Sequence, residues 1–170
     1  WRKTTRRPSR SIRFWPPPNS AAAHVALANY LTAIGRRAEA EKSLRTAVSV
    51  DSTHLPALRA LGWLIEADSF ENFLGKKFLG EKRFSLEGGE GSMVVLNAIL
   101  EKCPSAGVLE IEMGMAHRGR LNVLVNTMGK PPRKLFDEFE GKFEHNRAGD
   151  HAHTGDVKYH MGFSADVATP

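Results

Sequence analysis

The stretch "GMAHRGRLN", residues 114–122, concentrates the side chains with the clearest chemistry in this 170-residue sequence. His117 carries an imidazole, which changes protonation near neutral pH and can therefore transfer a proton. Arg118 and Arg120 add fixed positive charge, and a guanidinium holds a carboxylate or phosphate through two parallel hydrogen bonds. These residues predict either a corner that binds or transforms an anion, or a structural cluster that caps a helix.

The residues on either side of this stretch predict a strand followed by a helix. The apolar run "GVLEIEMGM" (107–115) precedes His117 as a strand candidate. A stripe of apolar side chains follows at helical spacing and stops at Gly129: Leu121, Leu124, Val125 and Met128. In α/β sheets, ligands bind beyond the carboxyl ends of strands, where helix N-termini offer free N–H groups. His117 is therefore predicted to lie at such a corner.

Further helices and glycine-rich turns flank this unit. The segment "KRFSLEGGEG" (82–91) has a strand-like pattern, and "SMVVLNAILEKC" (92–103) predicts an amphipathic helix with Ser92 as N-cap. The predicted apolar face of that helix consists of Leu96, Ile99, Leu100 and Cys103. The segment "PPRKLFDEFEG" (131–141) predicts another helix, since proline is tolerated in a first helical turn. This order of helices and strands predicts an α/β domain.

Residues 21–65 have a different pattern, which predicts an all-α helical hairpin. "AAAHVALANYLTAIG" (21–35) and "RAEAEKSLRTAVSVD" (37–51) are helix-periodic, and Leu61-Gly62 repeats Leu27-Ala28 after 34 residues. That period is typical of tetratricopeptide repeats, which the segment resembles over about one and a half copies. Ser52 departs from the family, which usually has proline there. A peptide-binding groove is one interpretation; a spacer is better supported, because solenoids need about three copies to bury a continuous core.

The net charge of +5 originates in the first 20 residues, which hold six basic side chains and no acid. Residues 21–170 hold 18 basic and 19 acidic side chains. Such an arm could contact nucleic acid or anionic lipid, or be the remnant of a transit peptide. A disordered, solvated tail is favoured, because three consecutive prolines and the lack of periodicity leave it nothing to pack. We therefore do not expect a nucleic-acid partner.

Two further features exclude some classes of protein. No apolar stretch approaches the roughly 20 residues that span a bilayer, so no membrane segment is predicted. The single cysteine, Cys103, excludes an internal disulfide.

Four side chains that can bind metals cluster in the sequence and could ligate a transition metal: His145, Asp150, His151 and His153. Their polar, glycine-containing surroundings favour a solvated insertion, so no metal site is predicted.

Three long blocks carry a specific resemblance. They are "FLGKKFLGEKRFSLEGGE" (73–90), "MGMAHRGRLNVLVNTMGKPPRKLFDEFEGK" (113–142) and "TGDVKYHMGFSADV" (154–167). In this order they resemble the decarboxylating, thiamine-diphosphate-dependent component of the 2-oxoglutarate dehydrogenase complex, from about Phe70 to the end of the chain. The expected organisation is a basic arm (1–20), the tetratricopeptide-like hairpin (21–65) and the N-terminal part of a thiamine-diphosphate-binding α/β catalytic domain (66–170).

The resemblance implies an activity and a set of site residues. Enzymes of this family decarboxylate 2-oxoglutarate and pass the succinyl group to a lipoyl arm of dihydrolipoyl succinyltransferase. They are homodimers that use thiamine diphosphate and magnesium, in the bacterial cytoplasm or the mitochondrial matrix. By this resemblance His117 and His160 are catalytic, and three further residues bind substrate: Phe84, Arg118 and Ser164.

Two departures from the family limit what is expected of this chain. Glu112 stands where the family has an apolar residue, so either it has a partner or its strand is more exposed. The Gly-Asp-Gly segment that holds magnesium and diphosphate is absent, since "TGDV" (154–157) lacks the second glycine. We therefore expect the front part of a catalytic domain that is inactive alone and does not bind the cofactor tightly. The alternative function is a tetratricopeptide binding module, partnered by a peptide, with a non-catalytic C-terminal passenger.

Overall fold

The computed structural model describes residues 16–140, 142 and 163–166, and in this part of the chain the regular elements are helical. They are α1 (Ala21–Ala33), α2 (Arg37–Val50), α3 (Leu55–Lys77), α4 (Gly91–Lys102), α5 (Arg120–Asn122) and α6 (Pro132–Phe139). A 3₁₀ turn follows α4 at Pro104–Ala106, and α5 continues directly into a π-helical turn at Val123–Thr127. None of these helices is long and apolar enough to cross a membrane.

The first two helices form the predicted hairpin. Ser20 caps α1, because its hydroxyl oxygen accepts a hydrogen bond from the Ala23 N–H at 3.2 Å. Gly35 makes the turn to α2 with a φ of 75°, a conformation that glycine adopts without strain. The apolar core between the two helices extends to α3 and α4 and consists of Ala28, Leu31, Ala40, Leu44, Ala60, Leu64 and Val94.

Helix α3 joins the two halves of the molecule. Its buried residues recur at alternating spacings of three and four, which places them on one face: Ala57, Ala60, Leu64, Ala67, Glu71 and Leu74. The C-terminal part of this face contributes Leu74 to a second apolar core with Leu121, Leu135 and Phe139. The predicted boundary between residues 65 and 66 falls inside this continuous helix, and the division into domains stays a prediction.

The predicted α/β fold class is wrong for the part of the chain that the structure describes, because helices account for its regular structure and no strand forms there. The segment 108–116 is non-helical, but a strand exists only where a neighbouring backbone accepts and donates its hydrogen bonds. No described segment pairs with it, and Leu109 is fully exposed. Glu112 is exposed as well, so its carboxylate is not buried.

Helix α4 forms where it was predicted, but its buried face is shifted from the predicted one. Met93, Val94 and Asn97 are buried. Of the predicted face, Ile99 is 55% exposed and the other three residues are half-buried. Ser92 does not cap the helix, because its hydroxyl donates to the Gly89 carbonyl at 2.8 Å. Apolar residues occur all around this helix, so their spacing predicts its period without deciding which side faces the core.

Candidate active site

Phe84 lies in the connection between α3 and α4 with an unusual backbone. Its φ is 42°, in the left-handed region that favours glycine, so this conformation is strained for a bulky residue. The Gly119 N–H holds it by donating to the Phe84 carbonyl at 2.9 Å. The connection after α3 is therefore bound to the residues that precede α5.

The same contact brings two of the predicted site residues together. The rings of Phe84 and His117 are stacked, with centroids 4.8 Å apart and planes inclined by 22°. The Lys82 ammonium nitrogen lies 4.8 Å from the centre of the Phe84 ring, within the range of a cation–π contact. An imidazole, an aromatic ring and a cation thus share one corner, which we call the Phe84–His117 corner.

The two arginines beside His117 hold backbone as well as adding charge. The exposed Arg118 side chain donates from Nη1 to the Ser85 carbonyl at 3.0 Å. Arg120 donates from Nη1 to the Met115 carbonyl at 3.4 Å, and its Nε is buried without a hydrogen-bond partner. Each arginine therefore uses one guanidinium nitrogen to hold the backbone, as a structural role requires. Its positive charge nevertheless lies close to His117 in the sequence.

A buried polar network adjoins this corner, and the sequence pattern did not predict it. The Glu71 carboxylate accepts hydrogen bonds from the Ser85 hydroxyl at 2.8 Å and from the Asn122 amide at 3.1 Å. Arg83 Nη1 lies 3.6 Å from the same carboxylate. Asn122 is fully buried and also donates to the Ala67 carbonyl at 2.9 Å. The available signal was the position of Glu71, an acid within the otherwise apolar stripe of α3.

The remaining predicted site residues are not brought to this corner by the described structure. Ser164 lies in the short described segment 163–166, where it is exposed. His160 lies outside the described residues, so its catalytic role stays a prediction. The candidate metal ligands at positions 145–153 also lie outside them. Within the described ranges, no three His, Cys, Asp or Glu side chains come close enough to hold a metal ion.

A separate cavity lies away from this corner. Its volume is about 620 Å³, and it is bordered by the end of α1, the start of α2, the glycine-rich turn before α4, and α4 itself, including Thr32, Arg37 and Ser92. Phe84, His117 and Arg118 are not among its lining residues. The cavity is therefore not formed by the Phe84–His117 corner, which holds the imidazole and the cations.

Comparison with known proteins points to one class of enzyme component. No family model and no solved structure matches the chain. Curated proteins named 2-oxoglutarate dehydrogenase E1 component are similar to it at about half identity over 62% of its length. The resemblance of residues 21–65 to a tetratricopeptide repeat has no support from these comparisons and stays a prediction.

Three relatives show the extent of this similarity. The protein from Cupriavidus necator is 55% identical over 106 residues, and that from Azotobacter vinelandii is 52% identical over 106 residues. The protein from Haemophilus influenzae is 52% identical over 105 residues. Each match covers 62% of this chain but 11% of the relative. The chain therefore matches a short region of much longer proteins.

Proposed function

We propose that this chain is part of a 2-oxoglutarate dehydrogenase E1 component and that the Phe84–His117 corner faces its substrate. The observation that supports a site at this corner is the stacking of these two rings, which come from sequence blocks 33 positions apart. The identity of 52–55% to proteins named 2-oxoglutarate dehydrogenase E1 component supports the assignment of the chain to that component. A strained residue held in contact with an imidazole is typical of functional sites, where strain persists because the surroundings impose it.

The charges at this corner suit a dicarboxylate such as 2-oxoglutarate. Lys82 and Arg118 lie beside the stacked rings and attract an anion. In this proposal the His117 imidazole binds a carboxylate or transfers a proton, and Phe84 fixes its orientation. His160 as a second catalytic histidine and Ser164 as a substrate-binding residue follow from the family resemblance.

The cofactor does not fit the residues that the structure describes. Thiamine diphosphate is held through magnesium, and in the described residues no group of three or more His, Cys, Asp or Glu side chains could hold a metal ion. The sequence also lacks the Gly-Asp-Gly segment. We therefore assign the cofactor site to another part of a longer E1 component.

The activity of the whole protein is part of the same proposal. It comprises decarboxylation of 2-oxoglutarate, transfer of the succinyl group to the lipoyl arm of dihydrolipoyl succinyltransferase, and assembly as a homodimer. The three relatives named above come from bacteria, which favours the bacterial cytoplasm over the mitochondrial matrix. The alternative, a peptide-binding repeat module, is less well supported, because the hairpin buries Ala28 and Leu31 against Val94 of α4.

A segment exchange tests this function. The matching segment of the Cupriavidus necator protein is replaced by that of this chain, and turnover of 2-oxoglutarate is measured. We expect an active chimera, in which His117→Ala lowers turnover by about 10²- to 10⁴-fold, the range for a lost acid–base group. The exposed Lys134→Ala serves as the control and should leave turnover unchanged. Unchanged turnover in a folded His117→Ala chimera, verified by circular dichroism, contradicts the catalytic assignment.

A further inference from the structure

Glu71 is the charged member of the buried stripe of α3, and its side chain needs compensation for the loss of water. The residue is 6% exposed, and burying a carboxylate without partners is costly. Both of its oxygens accept hydrogen bonds, Oε2 from Ser85 and Oε1 from Asn122, and Arg83 supplies a positive charge at 3.6 Å. The carboxylate is therefore fully engaged by side chains from outside its own helix.

The partners of Glu71 flank the two stacked rings. Arg83 and Ser85 are the immediate neighbours of Phe84, while Asn122 follows His117 by five positions. The Arg83 guanidinium also donates to the Glu71 carbonyl at 3.2 Å, which adds a second link to α3. One carboxylate on α3 thus connects the two segments that carry the rings.

We propose that Glu71 is a positioning residue, whose carboxylate holds Phe84 in its strained conformation and thereby keeps its ring stacked on His117. The conformation at Phe84, with φ of 42°, persists only if contacts on both sides restrain it. Glu71 contacts both neighbours of Phe84: its carboxylate pairs with Arg83 and accepts a hydrogen bond from Ser85. Without these contacts the backbone relaxes, and the ring moves away from the imidazole.

The relevance of this positioning to catalysis rests on the proposed function, but the positioning itself can be measured without activity. The ring current of a stacked phenylalanine shifts the ring protons of the histidine above it upfield in NMR spectra. The 170-residue chain contains seven histidines, which can be observed selectively after isotope labelling. Phe84→Leu removes the aromatic ring and so identifies the His117 signal.

The decisive variant is Glu71→Gln, which keeps the size of the side chain but removes its charge and one acceptor oxygen. We expect this change to remove at least half of the upfield shift of the His117 ring protons. Glu66→Gln is the matched control, since Glu66 is an exposed acid on the same helix, and it should leave the shift unchanged. Ser85→Ala, which removes one donor to the carboxylate, should reduce the shift by a smaller amount.

The outcomes separate this proposal from the proposed function. An unchanged His117 shift in a folded Glu71→Gln variant overturns the positioning role, and Ser85→Ala takes its place if Glu71→Gln does not fold. The positioning role is also overturned if Phe84→Leu does not change the His117 signal of the otherwise unsubstituted chain. Failure of the proposed function is instead seen as unchanged turnover in the His117→Ala chimera.

Discussion

At the scale of single residues, Gly119 makes the contact between the two blocks of the Phe84–His117 corner possible. Its N–H donates to the Phe84 carbonyl, and its φ is 76°. A Cβ atom at this position would lie 2.6 Å from Leu86 Cδ1, closer than side chains tolerate. The positive φ therefore favours glycine here, and any larger residue would also force the Leu86 side chain to shift.

Gly119→Ala should destabilise the protein more than Gly129→Ala does. Both glycines have positive φ, which costs an L-residue about 1–2 kcal/mol, but nothing lies within 4 Å of a Cβ at Gly129. The clash with Leu86 should add about 1–3 kcal/mol at Gly119, the usual cost of overpacking. Urea unfolding of the two variants measures the difference. Equal losses of stability would show that the approach of Leu86 imposes no constraint.

At the scale of elements, the helices could be predicted from the sequence because their signals are local. The 3.6-residue period predicts α1, α2 and α4, and the prolines at 131 and 132 predict the start of α6. The prediction of a strand at 107–115 was wrong because a strand needs a partner that is distant in the sequence, which periodicity does not reveal. The prediction of the buried face of α4 was wrong because apolar residues surround the helix.

The candidate site was predictable only in part, for a related physical reason. Family blocks identified Phe84 and His117, and the structure places their rings in contact. The same blocks did not reveal Glu71 or Asn122, whose roles arise from burial and from hydrogen bonds between segments more than 50 positions apart. Such contacts depend on how the helices pack, and a single sequence does not specify that packing.

The packing of α1 on α4 depends on a glycine at the start of α4. A Cβ at Gly91 would lie 2.4 Å from Thr32 Cγ2, so Gly91→Ala should lower the free energy of unfolding by about 1–3 kcal/mol. Thr32→Ser removes that methyl group and should restore part of the loss in the double variant, which thermal unfolding measures. Gly62→Ala, inside α3 with nothing within 4 Å, is the control and should be stabilising by about 0.5–1 kcal/mol. If the effects of Gly91→Ala and Thr32→Ser on the free energy of unfolding are additive, the proposed clash between the new Cβ and Thr32 Cγ2 is ruled out.

At the scale of the whole molecule, the hairpin and the region after it share one core. Ala28, Leu31 and Val94 belong to the same apolar cluster, and Arg37 of α2 forms an ion pair of 2.9 Å with Asp68 of α3. The uninterrupted α3 connects both parts. The hairpin is therefore a covering layer for α4 and α3, and its stability depends on them.

A truncation tests this dependence. Residues 1–65 expressed alone should be poorly ordered, because the cut falls inside α3 and removes both Val94 and the ion-pair partner Asp68. A longer piece, residues 1–107, keeps the whole first core and should show dispersed amide signals and cooperative thermal unfolding. Amide NMR spectra of the two pieces make the comparison. Sharp, well-dispersed signals from residues 1–65 would show that the hairpin folds without α4, and they would revive the interpretation of an independent repeat module.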